Sequence, residues 1–210
     1  LKSQIEGMRD GVLEPTRERF QRNLTEIDKL HSLVESVSEL YAAETSRDLN
    51  IEEFAAEEFV ADLLATYDVP LRGAATKFIS HVSTETITGD RRMLLRAVGN
   101  IVNNSVLYAG SSATVEIGID KLDRTIRIQV IDDGPGIPAD KIDRIFQRFY
   151  RGEFGRSMDG VGLGLNIAKA IVERHRGALS VSNQKPTGAR FTIELPSTDH
   201  ILSSGDAYSA

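Results

Sequence analysis

The sequence predicts an α+β fold: an α/β sandwich in which helices cover one face of a mixed sheet, preceded by a helical hairpin. Three observations predict it. Two-residue alternation near 51–54, 77–82, 85–88, 113–120, 124–132, 178–184 and 189–195 marks strands, and Ile126-Arg127-Ile128-Gln129-Val130-Ile131 is the clearest of them. Apolar residues three and four apart mark helices near 56–68, 90–108, 138–145 and 162–176, and helices grouped on one sheet face bury both sets of apolar residues. The chain before residue 45 carries helical periodicity alone.

In order, residues 1–11 read as the end of a helix and Gly11 to Glu14 as a turn. Pro15 is expected at the first position of a second helix, where its missing N–H is harmless. On that helix Phe20, Leu24, Ile27, Leu30, Val34, Val37 and Tyr41 recur at spacings of three and four, with Leu33 and Leu40 widening the stripe. One short helix cannot cover so wide a stripe. Two chains forming a four-helix bundle would cover it, and so would an arm folded onto its own domain. Thr45 to Asn50 is a polar linker, so the expected organisation is a helical hairpin at 1–48, an α/β domain at 49–198 and a flexible tail at 199–210.

Composition narrows the classes. With 210 residues, 40% of them hydrophobic and 27% charged, the chain is long enough for a core without cross-links. The absence of cysteine excludes disulfide and thiolate chemistry, and a formal charge of −6 argues against non-specific nucleic-acid binding. No apolar run reaches the ~18 residues that span a bilayer, and no signal-peptide pattern opens the chain. Leu1 lies inside a helical pattern without a cap or an initiating Met, so the chain is expected to be a piece of a longer protein.

Two glycine loops carry the chemistry. Asp132-Asp133-Gly134-Pro135-Gly136-Ile137-Pro138 puts a carboxylate at a strand end, fixed and partly buried, before a turn whose glycines let a flat ring approach the backbone. Such an acceptor suits a purine amine. Gly160-Val161-Gly162-Leu163-Gly164-Leu165 opens an apolar helix, where free backbone N–H groups and the helix dipole favour phosphate. It is not a dinucleotide fingerprint, because a charged loop rather than a strand precedes it and Ile167 stands where the third glycine would be. Upstream, Asp90 to Tyr108 reads as one helix with Met93, Leu94, Ala97, Val98, Ile101, Val102 and Ser105 on its apolar side and Asn100 and Asn104 one turn apart.

Taken in order, the asparagine helix, the Asp-x-Gly-x-Gly loop, Ile145-Phe146-Gln147-Arg148-Phe149-Tyr150-Arg151 and the glycine-rich lid resemble the ATP-binding domain of sensor histidine kinases, within the gyrase, heat-shock-chaperone and mismatch-repair ATPase superfamily. The resemblance covers about residues 50–196, and the hairpin extends it. It implies ATP and Mg²⁺ as ligands, a homodimer formed through the hairpin, and a response regulator receiver domain as partner. It also implies a cytoplasmic location, with no membrane segment in this stretch even where the parent protein is membrane-anchored, and no nucleic-acid partner.

The resemblance assigns roles residue by residue. Asp132 would accept the adenine amine while Asp133 points to solvent, and Gly134, Gly136 and Ile137 would give the ring access. Asn104 would coordinate Mg²⁺ through its carbonyl oxygen, a donor suited to a hard cation that keeps some of its water. Asn100, Asn104 and Arg148 form the expected catalytic set, and Arg148, Arg151 and Arg156 the candidate phosphate contacts. Tyr108, Phe149, Gly160, Val161, Gly162, Leu163, Gly164 and Leu165 complete the expected nucleotide site, with Phe146 and Phe149 as apolar anchors. Asn100 also separates two chemistries: the hydrolytic branches use a glutamate there as general base, whereas an amide takes no proton at neutral pH.

Leu107 departs from the Lys or Arg common in the family three residues past the magnesium asparagine, and His175-Arg176-Gly177 reads as a helix end capped by Gly177. None of His31, His81, His175 and His200 is followed by an acidic residue, so the phosphoacceptor is expected upstream of Leu1. The function implied is transfer of the γ-phosphoryl of Mg·ATP to a histidine, for relay to a response regulator aspartate. A nucleotide-binding regulatory module, an ATP-driven clamp or an anti-sigma-type serine kinase is the alternative; the clamp would want a carboxylate at position 100, and the serine kinase would lack the hairpin.

Overall fold

The computed structural model describes residues 1–45, 49–67, 76–110, 113–150 and 162–197. Its elements are α1 (Lys2–Arg9), α2 (Arg17–Thr45), β1 (Glu52–Ala55), α3 (Ala56–Tyr67), β2 (Lys77–Val82), β3 (Thr86–Gly89), α4 (Arg91–Ala109), β4 (Thr114–Leu122), β5 (Thr125–Asp132), α5 (Gly164–Arg174), β6 (Ala178–Asn183) and β7 (Ala189–Pro196). Five strands form one sheet in the order β2-β4-β5-β7-β6. β2 runs parallel to β4 and the other neighbours are antiparallel, so the sheet is mixed; β1 and β3 form a separate antiparallel pair.

Alternation becomes pleat. Val115, Ile117 and Ile119 of β4, Ile126, Ile128 and Val130 of β5, and Phe191, Ile193 and Leu195 of β7 all point inward and are buried. They share one core with Leu94, Ala97, Val98, Ile101 and Val102 of α4 and with Ile167, Ala168, Ile171 and Val172 of α5. Truncating one of these β-branched residues to alanine would cost about 2–5 kcal/mol, because the close-packed interior relaxes only partly around a cavity. The opposite sheet face is polar: Arg127 of β5 grips the Asp120 carboxylate of β4 through Nε and Nη2, and Gln129 reaches Thr192 of β7. The expected sandwich with helices on one face is therefore the observed architecture. Among the described residues no helix is long and apolar enough to cross a membrane.

Two contacts set the helices that flank the site. The Asp90 carboxylate caps α4 by accepting from the Met93 N–H at 3.0 Å, and its other oxygen accepts from the Asn50 N–H. The Asp90 N–H donates to His175 Nε2 at 3.0 Å, tying the end of α5 to the start of α4.

The structure differs from the sequence reading in four places. Pro15 is not the first helical residue: Thr16 caps α2, its hydroxyl accepting from the Arg19 N–H, and the helix starts at Arg17. The helix expected over 138–145 is a 3₁₀ turn at Ile142–Arg144, because three-residue bonds such as Lys141 N–H to the Pro138 carbonyl tighten the segment and too few apolar residues hold a longer helix on the core. At the end of α5 the left-handed position falls on Arg176 (φ 57°), and Gly177 follows it with its N–H on the Val172 carbonyl. Glycine is needed at 177 for space instead, since a Cβ there would lie 2.4 Å from the Glu194 carbonyl oxygen. Lastly, Leu33 and Leu40 do not widen the stripe of α2. Leu40 is buried in the domain core, Leu33 is half-buried and α2 packs against α5, whereas Ile27, Val34 and Tyr41 are 46%, 64% and 69% exposed. Leu33 and Val34 are one residue, about 100°, apart around the helix, which is enough to put them on different faces. The tail at 199–210 lies outside the described residues.

Candidate functional site

A cavity of about 340 Å³ opens at the carboxyl end of β5 between α4, the 133–150 segment, the first turn of α5 and the start of β7. Ile137, Ile145, Leu165, Phe191, Tyr108 and Tyr150 make its walls, and Asn104, Asp132 and Lys141 supply polar groups. Apolar walls with a few convergent polar groups suit a flat heteroaromatic ring with one polar edge.

Asp132 is the anchor of that edge. As the last residue of β5 it is 6% exposed, and its Oδ1 accepts from the Gly134 N–H at 3.1 Å and the Ala189 N–H at 3.2 Å. Both backbone donors use the same oxygen, so neither occupies Oδ2. Burial pushes the Asp132 carboxyl above the ordinary aspartate value; the two backbone N–H groups and the neighbouring Ser105 hydroxyl pull it back, and Asp133 adds to the rise. The Ser105 hydroxyl is fully buried and close enough to favour the charged form, yet it meets no partner at strict hydrogen-bond geometry. Asp133 is exposed and accepts from the Thr114 N–H.

The glycines around Asp132 are dictated by close approach. Gly188 (φ +116°) passes so near that a Cβ would lie 1.9 Å from the Asp132 carbonyl oxygen. Gly136 (φ +76°) sits in the left-handed region, with Asn183 Oδ1 2.9 Å from where its Cβ would be.

The other end of the site is the start of α5. Leu163, at its N-cap, offers no side-chain acceptor, and the first N–H groups of a helix favour an anion. Asn100 of α4 faces it: a Cβ on Gly164 would lie 3.3 Å from Asn100 Oδ1, and Asn100 Nδ2 is a buried donor with no protein partner. Phe146 is held against α5 by Asn166, whose Nδ2 donates to the Phe146 carbonyl at 3.0 Å, and by Lys169 over its ring. Arg144 lies over the Tyr150 ring with 4.9 Å to its centroid.

Of the residues singled out from sequence, Asn104, Tyr108, Asp132, Gly136, Ile137 and Leu165 line the cavity. Gly134 donates to Asp132 beside it. Asn100 and Gly164 meet at the α4–α5 junction, Leu163 is buried and Gly162 stands just ahead of the helix. Arg148 and Phe149 are exposed and outside the lining, and Phe149 (φ 61°) is held in the left-handed region. Arg151, Arg156, Gly160 and Val161 lie outside the described residues. Sequence reasoning missed Lys141, Ile145, Ala189, Phe191, Gly188 and Asn183; the only signal for the β7 group was a lone glycine before an alternating strand.

The chain resembles known proteins over most of its length. The family model described as histidine kinase-, DNA gyrase B-, and HSP90-like ATPase matches residues 89–199, from the end of β3 to just past β7. The signal transduction histidine-protein kinase BaeS of Escherichia coli (strain K12) is 29% identical over 206 residues, 93% of this chain and 43% of that protein. The sensor protein kinase WalK of Staphylococcus saprophyticus is 31% identical over 209 residues, 94% of this chain and 33% of that protein. Full-length ShkA in complex with AMPPNP superposes with a TM-score of 0.73 at 25% identity, covering 88% of this chain and 40% of that one. The chain thus spans less than half the length of these curated relatives. With the matched segment enclosing α4, the Asp132 loop and α5, the chain belongs to the histidine kinase-, DNA gyrase B-, and HSP90-like ATPase family, and its ATP-binding domain is of the sensor histidine kinase type.

Proposed function

We propose that this chain holds ATP with Mg²⁺ in the Asp132 cavity and presents the γ-phosphoryl for transfer to a histidine ring nitrogen of the same sensor kinase, with ADP leaving, for relay to an aspartate of a response regulator receiver domain. The observation that carries this reading is the pairing of two ends: a buried carboxylate with an apolar slot at one, and at the other the start of α5, without a side-chain cap from Leu163, facing Asn100, whose buried Nδ2 has no partner among the described residues. The adenine amine would donate to Asp132 Oδ2, the ring would lie among Ile137, Leu165, Phe191 and Tyr108, and the phosphates would lie toward Gly162 to Gly164.

Among the described residues no cluster of three His, Cys, Asp or Glu could hold a metal ion on its own. A magnesium ion liganded mainly by phosphate and water needs only one neutral oxygen from the protein, and Asn104 in the cavity wall fits that demand. The ion would neutralise phosphate charge. The chain's own part is to orient the nucleotide and exclude competing acceptors: Asn100 offers an amide where the hydrolytic branches carry a water-activating base, which favours phosphoryl transfer by positioning over hydrolysis. Arg148 and Arg151 remain the candidate contacts to the transferring group.

The exposed stripe of α2 supports self-association through the hairpin as the quaternary state, the opposite face of that helix being taken up by α5. Calorimetric titration with ATP and ADP, with and without Mg²⁺, tests the site. Affinity that Mg²⁺ strengthens in the wild type but not in Asn104→Ala is the expected result; the same magnesium dependence in both proteins would remove Asn104 from the role.

A further inference from the structure

Strand β6 ends at Asn183, whose side chain closes a two-bond ring on the loop that floors the cavity. The Ile137 N–H donates to Asn183 Oδ1 at 2.7 Å, and Asn183 Nδ2 donates to the Ile137 carbonyl at 2.8 Å. One side-chain amide thus satisfies both polar groups of one backbone residue, as a neighbouring strand would, at a place where no strand runs. Its effect on position is sharpened by Gly136, whose backbone comes so close that even a methyl group there would press on Asn183 Oδ1 and the Gly188 carbonyl.

The β6–β7 turn therefore clasps the loop at both ends. At the Asp132 end the Ala189 N–H holds the carboxylate and Gly188 packs on the Asp132 carbonyl; at the Ile137 end Asn183 holds the peptide. Ile137 lines the cavity and Asn183 does not, so anything Asn183 does to a ligand it does through Ile137. Without the clamp the Gly134-Pro135-Gly136 stretch, with a freely rotating glycine beside Ile137, has several arrangements open to it, and a ligand would have to select one at its own expense.

We infer that Asn183 is a positioning residue of the nucleotide site: its amide fixes the Gly136–Ile137 peptide so that the Ile137 wall and the Asp132 carboxylate face one flat ring together. This rests on the reading that the cavity takes the adenine of ATP. A purely structural tie would predict unchanged affinity in the folded protein and only a slightly lower melting temperature, because both bonds are solvent-exposed and worth little to stability alone.

The test compares wild type, Asn183→Ala, Asn183→Asp and Asp132→Asn for ADP and ATP affinity by calorimetry, well below the melting temperature, with exchange of the Ile137 amide followed in parallel. Asn183→Asp keeps an acceptor for the Ile137 N–H but turns an oxygen toward the Ile137 carbonyl, and it stands in should the alanine variant not fold. The expected result is a dissociation constant raised about tenfold for ADP and ATP alike, since the phosphate end is untouched, with faster Ile137 exchange. Affinity within twofold of wild type despite faster exchange overturns the inference. If Asp132→Asn loses binding while both Asn183 variants keep it, the inference fails and the adenine reading stands; if all three variants bind as wild type does, the adenine reading itself fails.

Discussion

At the residue scale Asp132 carries the most, and the role proposed for it opposes its burial. A nucleotide amine needs the ionised carboxylate as acceptor, while burial favours the protonated acid. The folded state therefore holds the proton more tightly than the unfolded chain, and ionising Asp132 costs stability as pH rises from 3.8 through the raised value. Asp132→Asn should accordingly melt no lower than wild type at neutral pH, and higher if the Gly134 and Ala189 contacts persist, while losing about 10- to 100-fold in ATP affinity, the worth of a hydrogen bond to a charged group. Thermal melts paired with calorimetry check this, and a variant that loses stability and affinity together would mean that Asp132 is mainly structural. By the same logic wild-type affinity should weaken on acidification at a pH above the ordinary aspartate range. The buried strand-end position of Asp132 was legible in the sequence because the residue stands between an alternating run and Gly-x-Gly. Asn183 was not: a lone asparagine at a strand end has no spacing signal, and its partner lies 46 residues away in the chain.

At the element scale, the strands were legible because a sheet with one wet face writes its period into the sequence, as Val115 to Ile119 and Ile126 to Val130 do. The segment 138–145 was not, because a 3₁₀ turn and one turn of α-helix leave nearly the same apolar spacing. The junction of α4 and α5 yields a prediction about pH. His175 donates from Nδ1 to the Ile171 carbonyl and accepts the Asp90 N–H at Nε2, so the neutral ring fits and a second ring proton would face a donor. Burial lowers its pKa, the Ile171 carbonyl and Asp90 pull it back up, and Arg174 adds to the fall. The unfolded chain, with a histidine near 6.5, binds the proton first, so this contribution is complete above 6.5 and is lost as pH falls from there toward the depressed folded value. Urea unfolding at stepped pH should show stability falling below 6.5, by at most about 1.4 kcal/mol per pH unit from this group, and His175→Gln should flatten that part of the curve. An unchanged slope in the variant would place the dependence on other groups. Since Asp90 caps the helix bearing Asn100 and Asn104, acidification should loosen the end proposed for the phosphates as well.

At the scale of the whole molecule, strand order and the two faces of α2 were beyond the sequence, because both depend on which surfaces meet after the elements form. The packing of α2 on α5 leaves Ile27 and Val34 exposed on the other side, so Ile27→Glu with Val34→Glu should turn a self-associating species into a monomer in sedimentation while ATP affinity stays unchanged. A monomeric wild type at high concentration would remove the basis for the dimer. The same whole-chain view bears on activity. His31 sits exposed on α2 beside Glu35, His81 is exposed on the sheet beside Glu116, and His175 is buried with both ring nitrogens engaged. None is followed by an acidic residue, and position 100 offers no base to activate water. Incubated with γ-labelled ATP, this polypeptide should bind nucleotide, hydrolyse it slowly and acquire no acid-labile phosphate, whereas a histidine-bearing hairpin of the same kinase supplied in trans should become labelled. Acid-labile phosphate mapped to His31 would instead make α2 the acceptor helix, and the exposed stripe beside it would then be the surface over which the ATP-binding domain of a second chain must reach.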